Sequence, residues 1–503
     1  MDFIKKLRRN EKEEQWTWVY RLSFVLVLAV VCFLSFYQLD EKYVDPFDEA
    51  RHGVNAYEMF RQGNLIKSTY GYETDYYNLK PPLSMWCIML GFLLFGKTVF
   101  ALRAYSAVCY ILLVAFVGMF VKRNYGRMEA ILAMGFLALN TAPFEAHMIR
   151  AGDADSLYVL LFTLAMLYMM EIPKNKNRLY LCGLFFSLAF LTKSFHAGMI
   201  LAIGGLYLLF TGELKKIRLK EMVYFVLSVA LPLFLWGVLR LSVDGVTFFK
   251  QMLYVDVLNR TSGVLNNNKQ PFFWYAEYFL GSMSGNITIY LWAFAICMVG
   301  VVYFSRLFTK EHYRKVLGYG LWILIPYIAF SSITNKLVWY MYPVTIPLLM
   351  CAGVIMGRLL KEKKISLVVK LGLLIALFSL GGFYGNKELQ TIKAQGPNEF
   401  QQFVTQIAQT YGDMTDRAFL ALASAEQPEQ LQSTWAQQDV YLAEIYGDWY
   451  CDDSGVEGFD NAGSGILFVG NEIVDNIQQS INITENDSNI VTIRGDKYTV
   501  FIK

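Results

Sequence analysis

Charged side chains are scarce in this sequence: Asp, Glu, Lys and Arg make up 17 % of its 503 residues, against about 25 % in a soluble globular protein. Beside a hydrophobic share of 55 %, that deficit excludes a disordered chain and a cytosolic enzyme. Cysteine offers no scaffold either. Cys32, Cys87, Cys109, Cys182, Cys297 and Cys351 fall in apolar segments and only Cys451 lies in polar sequence, so neither a disulfide framework nor a zinc site is encoded. The C-terminal region lacks a nucleophile elbow, a glycine-rich phosphate loop and metal-ligand spacing. Nothing points to a nucleic-acid partner, and the lack of an internal repeat counts against an inverted-repeat transporter.

What the chain has is a series of apolar runs of roughly 17 to 25 residues, each enough to cross about 30 Å of hydrocarbon. Short basic stretches separate them, and a β-barrel is thereby excluded as well. Charge divides the chain in two. Residues 386–503 hold 18 acids against 6 Lys and Arg, whereas residues 1–385 hold 24 against 39. The acidic tail reads as a soluble domain, and the basic excess upstream as loops that face anionic lipid and orient the helices. The expected fold is all-α and polytopic over 1–385, with a small extracytoplasmic α/β domain over 386–503.

Lys5, Lys6, Arg8, Arg9 and Lys12 precede the first apolar run, Trp16 to Tyr37, which places the N-terminus in the cytoplasm. No small-residue cleavage site follows, so a permanent span is expected. Residues 38–97 then form a long extracytoplasmic loop with interfacial helices. Leu83–Phe95 is too short to span, and a crossing there would put the basic loop Lys122–Arg127 outside. The second span is therefore Val99 to Val121. Further spans near 128–142, 156–172, 179–192, 197–211, 221–241, 286–307, 316–333, 338–356 and 366–384 bring the total to about eleven. The tail then lies outside the cell membrane with the first loop.

Asp45-Pro46-Phe47-Asp48 has the pattern of a helix start with Asp45 as N-cap, and Gly63 ends the amphipathic run that follows. In the tail, Gly396 to Tyr411 reads as a helix. Phe419–Ala423, Val440–Leu442, Gly465–Val469 and Tyr498–Ile502 read as strands.

Chemistry concentrates in the predicted outer loops. Asp48 and Glu49, beside Arg51, could serve as general base toward an acceptor hydroxyl, although acids in a first helical turn are also stabilised by the helix dipole alone. Arg150, Asp153 and Asp155 share the second outer loop, where an acid could equally cap the following span. Lys80, Lys193, Arg260 and Lys336 run against the positive-inside bias, and together they suit a phosphate. Lys193 interrupts an apolar run of about 33 residues, where an ionisable group is a functional candidate by default.

Several of these residues sit in ordered motifs. Phe47-Asp48-Glu49-Ala50-Arg51, Leu79-Lys80-Pro81-Pro82-Leu83-Ser84-Met85-Trp86, Arg150-Ala151-Gly152-Asp153-Ala154-Asp155-Ser156-Leu157 and Leu191-Thr192-Lys193-Ser194 are followed by Asn259-Arg260 with Pro271-Phe272-Phe273-Trp274-Tyr275, and by Thr334 to Pro343. The series resembles the C-type glycosyltransferases, in particular the family of dolichyl-phosphate-mannose protein mannosyltransferases and bacterial lipid A aminoarabinose transferases. The resemblance runs over residues 15–360.

It implies transfer of one sugar, with inversion, from a polyprenyl-phosphate donor to a lipid, glycan or protein hydroxyl at the outer face of a bacterial cell membrane. It also implies Asp48 as the leading catalytic carboxylate, with Glu49 and Arg51 shaping its surroundings, and Asp155 at the second acidic position beside Asp153. Lys80, Arg260 and Lys336 would hold the lipid phosphate, and Tyr340 and Tyr342 would line the sugar pocket. No cofactor is required by these motifs. A divalent cation would find oxygen ligands in Asp48, Asp153 and Asp155. Two departures stand out: Asn78-Leu79 replaces the acid usual before the Lys-Pro-Pro lysine, and Ser194 replaces the usual glycine. A flippase of lipid-linked sugars, or a membrane scaffold recruiting a partner through its acidic domain, remain the alternatives.

Overall fold

Long apolar sequence becomes long helix wherever backbone groups must be satisfied without water, and the computed structural model shows this through most of the chain. It describes residues 2–259, 270–280, 287–304, 309–422, 437–451, 454–480 and 490–503. The first helices are α1 (Asp2–Phe36), α2 (Asp48–Gln62), α3 (Leu83–Phe95), α4 (Val99–Asn124) and α5 (Arg127–Ala138). Among the described residues, seven helical stretches are long and apolar enough to cross a membrane: Thr17–Phe36, Val99–Asn124, Arg178–Phe210, Leu219–Asp244, Glu311–Ser332, Val338–Lys361 and Leu367–Lys393. The protein is a polytopic, mostly helical membrane protein.

The chain divides into two compact units. The first comprises residues 1–37, 106–150 and 154–391. Its central helix, Asp155–Glu171, is buried along nearly its whole length. The helix Tyr342–Lys361 approaches α5 so closely that a β-carbon on Gly353 would lie 2.3 Å from the backbone nitrogen of Ala133. Only glycine permits that contact. The helices Leu219–Asp244 and Leu367–Lys393, by contrast, expose most of their apolar surface, as elements facing lipid do.

The second unit comprises residues 38–105, 151–153 and 392–503, so the first loop and the acidic C-terminal segment fold together. Its sheet has five strands: β3 (Arg417–Ala421), β4 (Tyr450–Cys451), β5 (Ile466–Gly470), β6 (Val491–Arg494) and β7 (Tyr498–Ile502), with the short hairpin β1 (Thr69–Tyr70) and β2 (Glu73–Thr74) upstream. Their order is β4-β3-β5-β7-β6. β3 runs parallel to β4 and β5, whereas β7 runs antiparallel to β5 and β6. Alternate residues serve two cores, as the two-residue period of a strand requires. Ala418, Leu420, Ile466 and Phe468 meet the helices Glu399–Tyr411 and Gln437–Gly447. Phe419, Ala421, Leu467 and Val469 meet Gly455–Asn461 and Val474–Ser480.

Three local expectations are corrected. Val440–Leu442 lies in a helix, Gln437–Gly447, whose residues Val440 to Ile445 are all buried. A helix covered on both sides has the continuous apolar run of a buried strand. The first-loop helix begins at Asp48 rather than at Pro46, because Phe47 takes a positive φ of 69°. Asp45 caps nothing with its side chain; its carboxylate pairs with Lys42, and its N–H donates to Glu49 Oε2 at 2.7 Å. Gly63 does end the helix, in the left-handed conformation.

Candidate active site

The second unit carries the first group of candidate residues. α2 presents Asp48 and, one turn on, His52 on one face. The segment after β2 brings Asn78 and Lys80 against them. Lys80 Nζ lies 4.0 Å from Asp48 Oδ1 and 3.9 Å from Asp153 Oδ1, and it donates to Asn78 Oδ1 at 3.2 Å. Asp153 is almost fully buried, whereas the Asp48 side chain is 40 % exposed. One carboxylate is thus buried behind the ammonium and the other is open to solvent.

Buried polar groups need partners, and the shell around this trio supplies them. Asn78 Nδ2 donates to Asn55 Oδ1 at 2.7 Å and lies 3.2 Å from His52 Nδ1, while His52 Nε2 is 2.8 Å from Ser84 Oγ. Burial, then the charge of Lys80, pushes the His52 imidazole down to about 4, against the opposing pull of Asp153 and Asp48. A neutral His52 adds no charge to the site at neutral pH.

Glu49 sets the spacing. Its carboxylate receives two bonds from Arg103 of α4, at 2.7 and 2.9 Å, and one from the Gly152 N–H at 2.7 Å. Burial raises its pKa, but the charge and bonds of Arg103, with Lys42 and the Asp45 N–H, outweigh burial and hold it below the usual carboxylate range. Since a β-carbon on Gly152 would lie 2.3 Å from Leu102, glycine is required for the segment carrying Asp153 to approach α4 this closely.

The first unit holds a second group by itself. Asp155 opens the helix Asp155–Glu171 and is salt-bridged to Lys193. Lys193 ends the helix Arg178–Lys193, and its ammonium stands 5.6 Å from the Tyr340 ring and 5.9 Å from that of Tyr158. Cation–π contacts of this kind stabilise a desolvated ammonium. Tyr340 packs with His196 and Phe330, and Lys336, 2 % exposed, donates to the Ile333 carbonyl. The turn after Lys193 forces Ser194 to φ 47° and ψ −131°, a conformation that favours glycine.

Comparison with known proteins now adds to this geometry. A family model described as dolichyl-phosphate-mannose-protein mannosyltransferase matches residues 79–237. An undecaprenyl phosphate-alpha-4-amino-4-deoxy-L-arabinose arabinosyl transferase of Pseudomonas fluorescens (strain Pf0-1) is 24 % identical over 346 residues, covering 67 % of this chain and 60 % of the relative. One from Shewanella sediminis (strain HAW-EB3) is 27 % identical over 315 residues, covering 60 % and 54 %. The chain therefore matches less than two thirds of the length of these two relatives. The crystal structure of ArnT from Cupriavidus metallidurans bound to undecaprenyl phosphate shares the fold, with a TM-score of 0.70 at 16 % identity over 95 % of this chain and 97 % of that one. The chain thus has the fold of this ArnT structure and is similar in sequence to the mannosyltransferase family model and the arabinosyl transferases.

Several residues expected at the substrate have partners within the protein. Besides Glu49, Arg51 makes a bidentate pair with Asp75, both bonds 2.9 Å, and is sandwiched between the rings of Tyr70 and Tyr77. Arg150 Nη1 donates to the carbonyls of Leu34 and Tyr37 at 3.1 and 2.8 Å, where the end of α1 leaves acceptors free. The Tyr342 hydroxyl donates to the carbonyls of Ala142 and Ala146. Arg260 lies outside the described residues. Asp48 and Asp153 come together on Lys80, whereas Asp155 is paired with Lys193, and Lys80 already supplies positive charge between the first two acids.

His52, Asn55, Asp75 and Asn78 were not expected from the sequence. The spacing of His52 to Asp48, four residues along one helix, was the signal for the first. Asn78, replacing an acid, was visible as a departure, but its role as a hub for Asn55, His52 and Lys80 depends on contacts across the fold.

Proposed function

We propose that this protein is an inverting glycosyltransferase that moves a single sugar from a polyprenyl-phosphate donor to an acceptor hydroxyl of a lipid, glycan or protein at the extracytoplasmic face. The observation that carries the reading is the placement of Lys80 between the exposed Asp48 and the buried Asp153. Asp48 accepts the acceptor's proton as its oxygen attacks the anomeric carbon. The glycosidic bond to phosphate breaks, and the phosphate leaves with the electron pair. Its growing negative charge is met by Lys80, held beside Asp48, while Lys193, Lys336 and Arg260 are assigned to donor binding from the sequence resemblance alone.

Asp155 holds Lys193 in position and Tyr340 lines the sugar pocket. Glu49, Arg51, Arg150, Asp153 and Tyr342 act through the residues they hold. The membrane arrangement we infer has about eleven crossings, a cytoplasmic N-terminus and both the first loop and the C-terminal domain outside. Helices occur at each expected span, including the shorter Arg127–Ala138, Asp155–Glu171 and Ile287–Phe304, and the basic loops alternate with them. The names of the relatives, which are undecaprenyl-phosphate aminoarabinose transferases, support a lipid-phosphate donor of the same chemical class.

The test is an assay of purified full-length protein and Asp48→Asn with a panel of polyprenyl-phosphate sugars and acceptor extracts, reading release of free polyprenyl phosphate. Wild-type turnover with a drop of about a thousandfold in the variant is expected. Equal turnover by the two proteins overturns the role of Asp48. No turnover with any donor and acceptor would overturn the enzyme reading in favour of a transporter or scaffold.

A further inference from the structure

Beside its contact with α5, helix α1 borders a groove of about 720 Å³ shared with α4. Its walls are apolar: Tyr20, Phe24 and Val25 from α1 and Met119 from α4. Phe24 lies so close to α4 that a β-carbon on Gly118 would be 3.0 Å from its ring. At one end stand three cations, Arg21, Lys122 and Arg123.

These cations are not equivalent. Arg123 is committed to Glu171. Arg21 and Lys122 face aromatic rings, Trp18 at 5.5 Å and Tyr20 at 4.7 Å, and neither pairs with a carboxylate from residue 17 onward among the described residues. Lys122 opens the basic loop Lys122–Arg127, and basic loops flanking apolar helices meet lipid headgroups. A neutral lipid would fill the trough and leave both charges uncompensated. A lipid with an anionic phosphodiester satisfies both features, and the bulk lipid of a leaflet presents that group at every encounter.

We propose that this groove is a binding site for an anionic phospholipid, its phosphate held by Arg21 and Lys122 and an acyl chain lying along Phe24, Val25 and Met119. The site uses none of the residues assigned to sugar transfer, so it stands or falls independently of that assignment.

Native mass spectrometry of the full-length protein in detergent, with phosphatidylglycerol and phosphatidylcholine in equal amounts, tests it. Phosphatidylglycerol adducts should dominate by about tenfold, given two cations at a surface. Arg21→Gln with Lys122→Gln should bring the ratio near parity, while Lys97→Gln with Lys503→Gln leaves it unchanged. Val25→Trp, which fills the groove without touching a charge, should lower adducts of both lipids and guards against a misfolded double variant. The proposal is overturned by equal binding of the two lipids to wild type, by an unchanged ratio in the double variant, or by preferential occupancy of the groove by undecaprenyl phosphate added in competition.

Discussion

The ammonium of Lys80 lies 3.9 Å from the buried carboxylate of Asp153, and that pairing holds it beside the exposed acid, Asp48. A lone lysine at an outer membrane surface would extend into solvent or headgroups. Held from behind by Asp153 and by the Asn78 side-chain oxygen Oδ1, the Lys80 ammonium stands 4.0 Å from Asp48. In the proposed reaction, a donor phosphate would meet there an oriented cation that needs no reorganisation when charge develops on the leaving group.

Replacing Lys80 should therefore act on donor binding and on the chemical step together. Lys80→Ala is expected to lower kcat/KM by roughly 10- to 100-fold, the range for a charge-assisted hydrogen bond. Lys80→Arg should recover part of the loss. Steady-state kinetics against a polyprenyl-phosphate sugar measures both, and an unaltered kcat/KM in Lys80→Ala would remove Lys80 from the site.

The Glu49–Arg103 pair is buried at both ends, 1 % and 0 % exposed. Removing one partner leaves an uncompensated interior charge, which costs about 3–5 kcal/mol. Glu49→Gln should thus lower the thermal midpoint of the purified protein markedly. Asp48→Asn, at an exposed acid, should leave it within a degree or two of wild type.

Ser194 sits at φ 47° and ψ −131°, where a β-carbon costs on the order of 1 kcal/mol or more. Ser194→Gly relieves that strain and returns the residue usual in the family resemblance. A rise in thermal midpoint equivalent to about 0.5–1 kcal/mol is expected, after the added backbone freedom of glycine is subtracted. A lower midpoint would mean that the serine makes a contact worth more than the strain.

Two buried groups of the second unit give stability opposite pH dependences. Burial raises Glu58 to about 7, against the bond its carboxylate accepts from the Tyr72 N–H. Its protonated form is favoured in the folded state, so stability falls as pH rises from about 4.5 to 7. His52 is lowered from 6.5 to about 4, so the unfolded chain binds the extra proton and stability falls as pH drops across that interval. Thermal midpoints from pH 4 to 8 should show that Glu58→Gln flattens the decline toward neutral pH, while His52→Gln flattens the acid side.

Much of the architecture followed from local pattern alone. Leu83–Phe95 is a helix at the bounds its apolar run marks, with Leu90, Leu93, Leu94 and Phe95 exposed on one side. Tyr498–Ile502 is a strand as its composition suggests, and Gly63 stops α2. Hydrophobic period, turn residues and the basic loops act over a few residues each, and so they were legible before any contact was known.

What sequence could not decide was which charged side chain faces a substrate and which serves the scaffold. Asp48 and Glu49 are neighbours of identical charge. Yet Glu49 is consumed by Arg103 and the Gly152 N–H, partners 54 and 103 residues away in the chain, while Asp48 keeps solvent access. Arg51 is likewise taken up by Asp75, and Arg150 by carbonyls at the end of α1. The same holds for Val440–Leu442, whose helix has a continuous apolar run because the sheet core and α2 both pack against it. Local sequence specifies an element and its charge. The cost of burying an unpaired polar group is settled by groups brought together from distant segments, and only the tertiary structure determines which pairs meet.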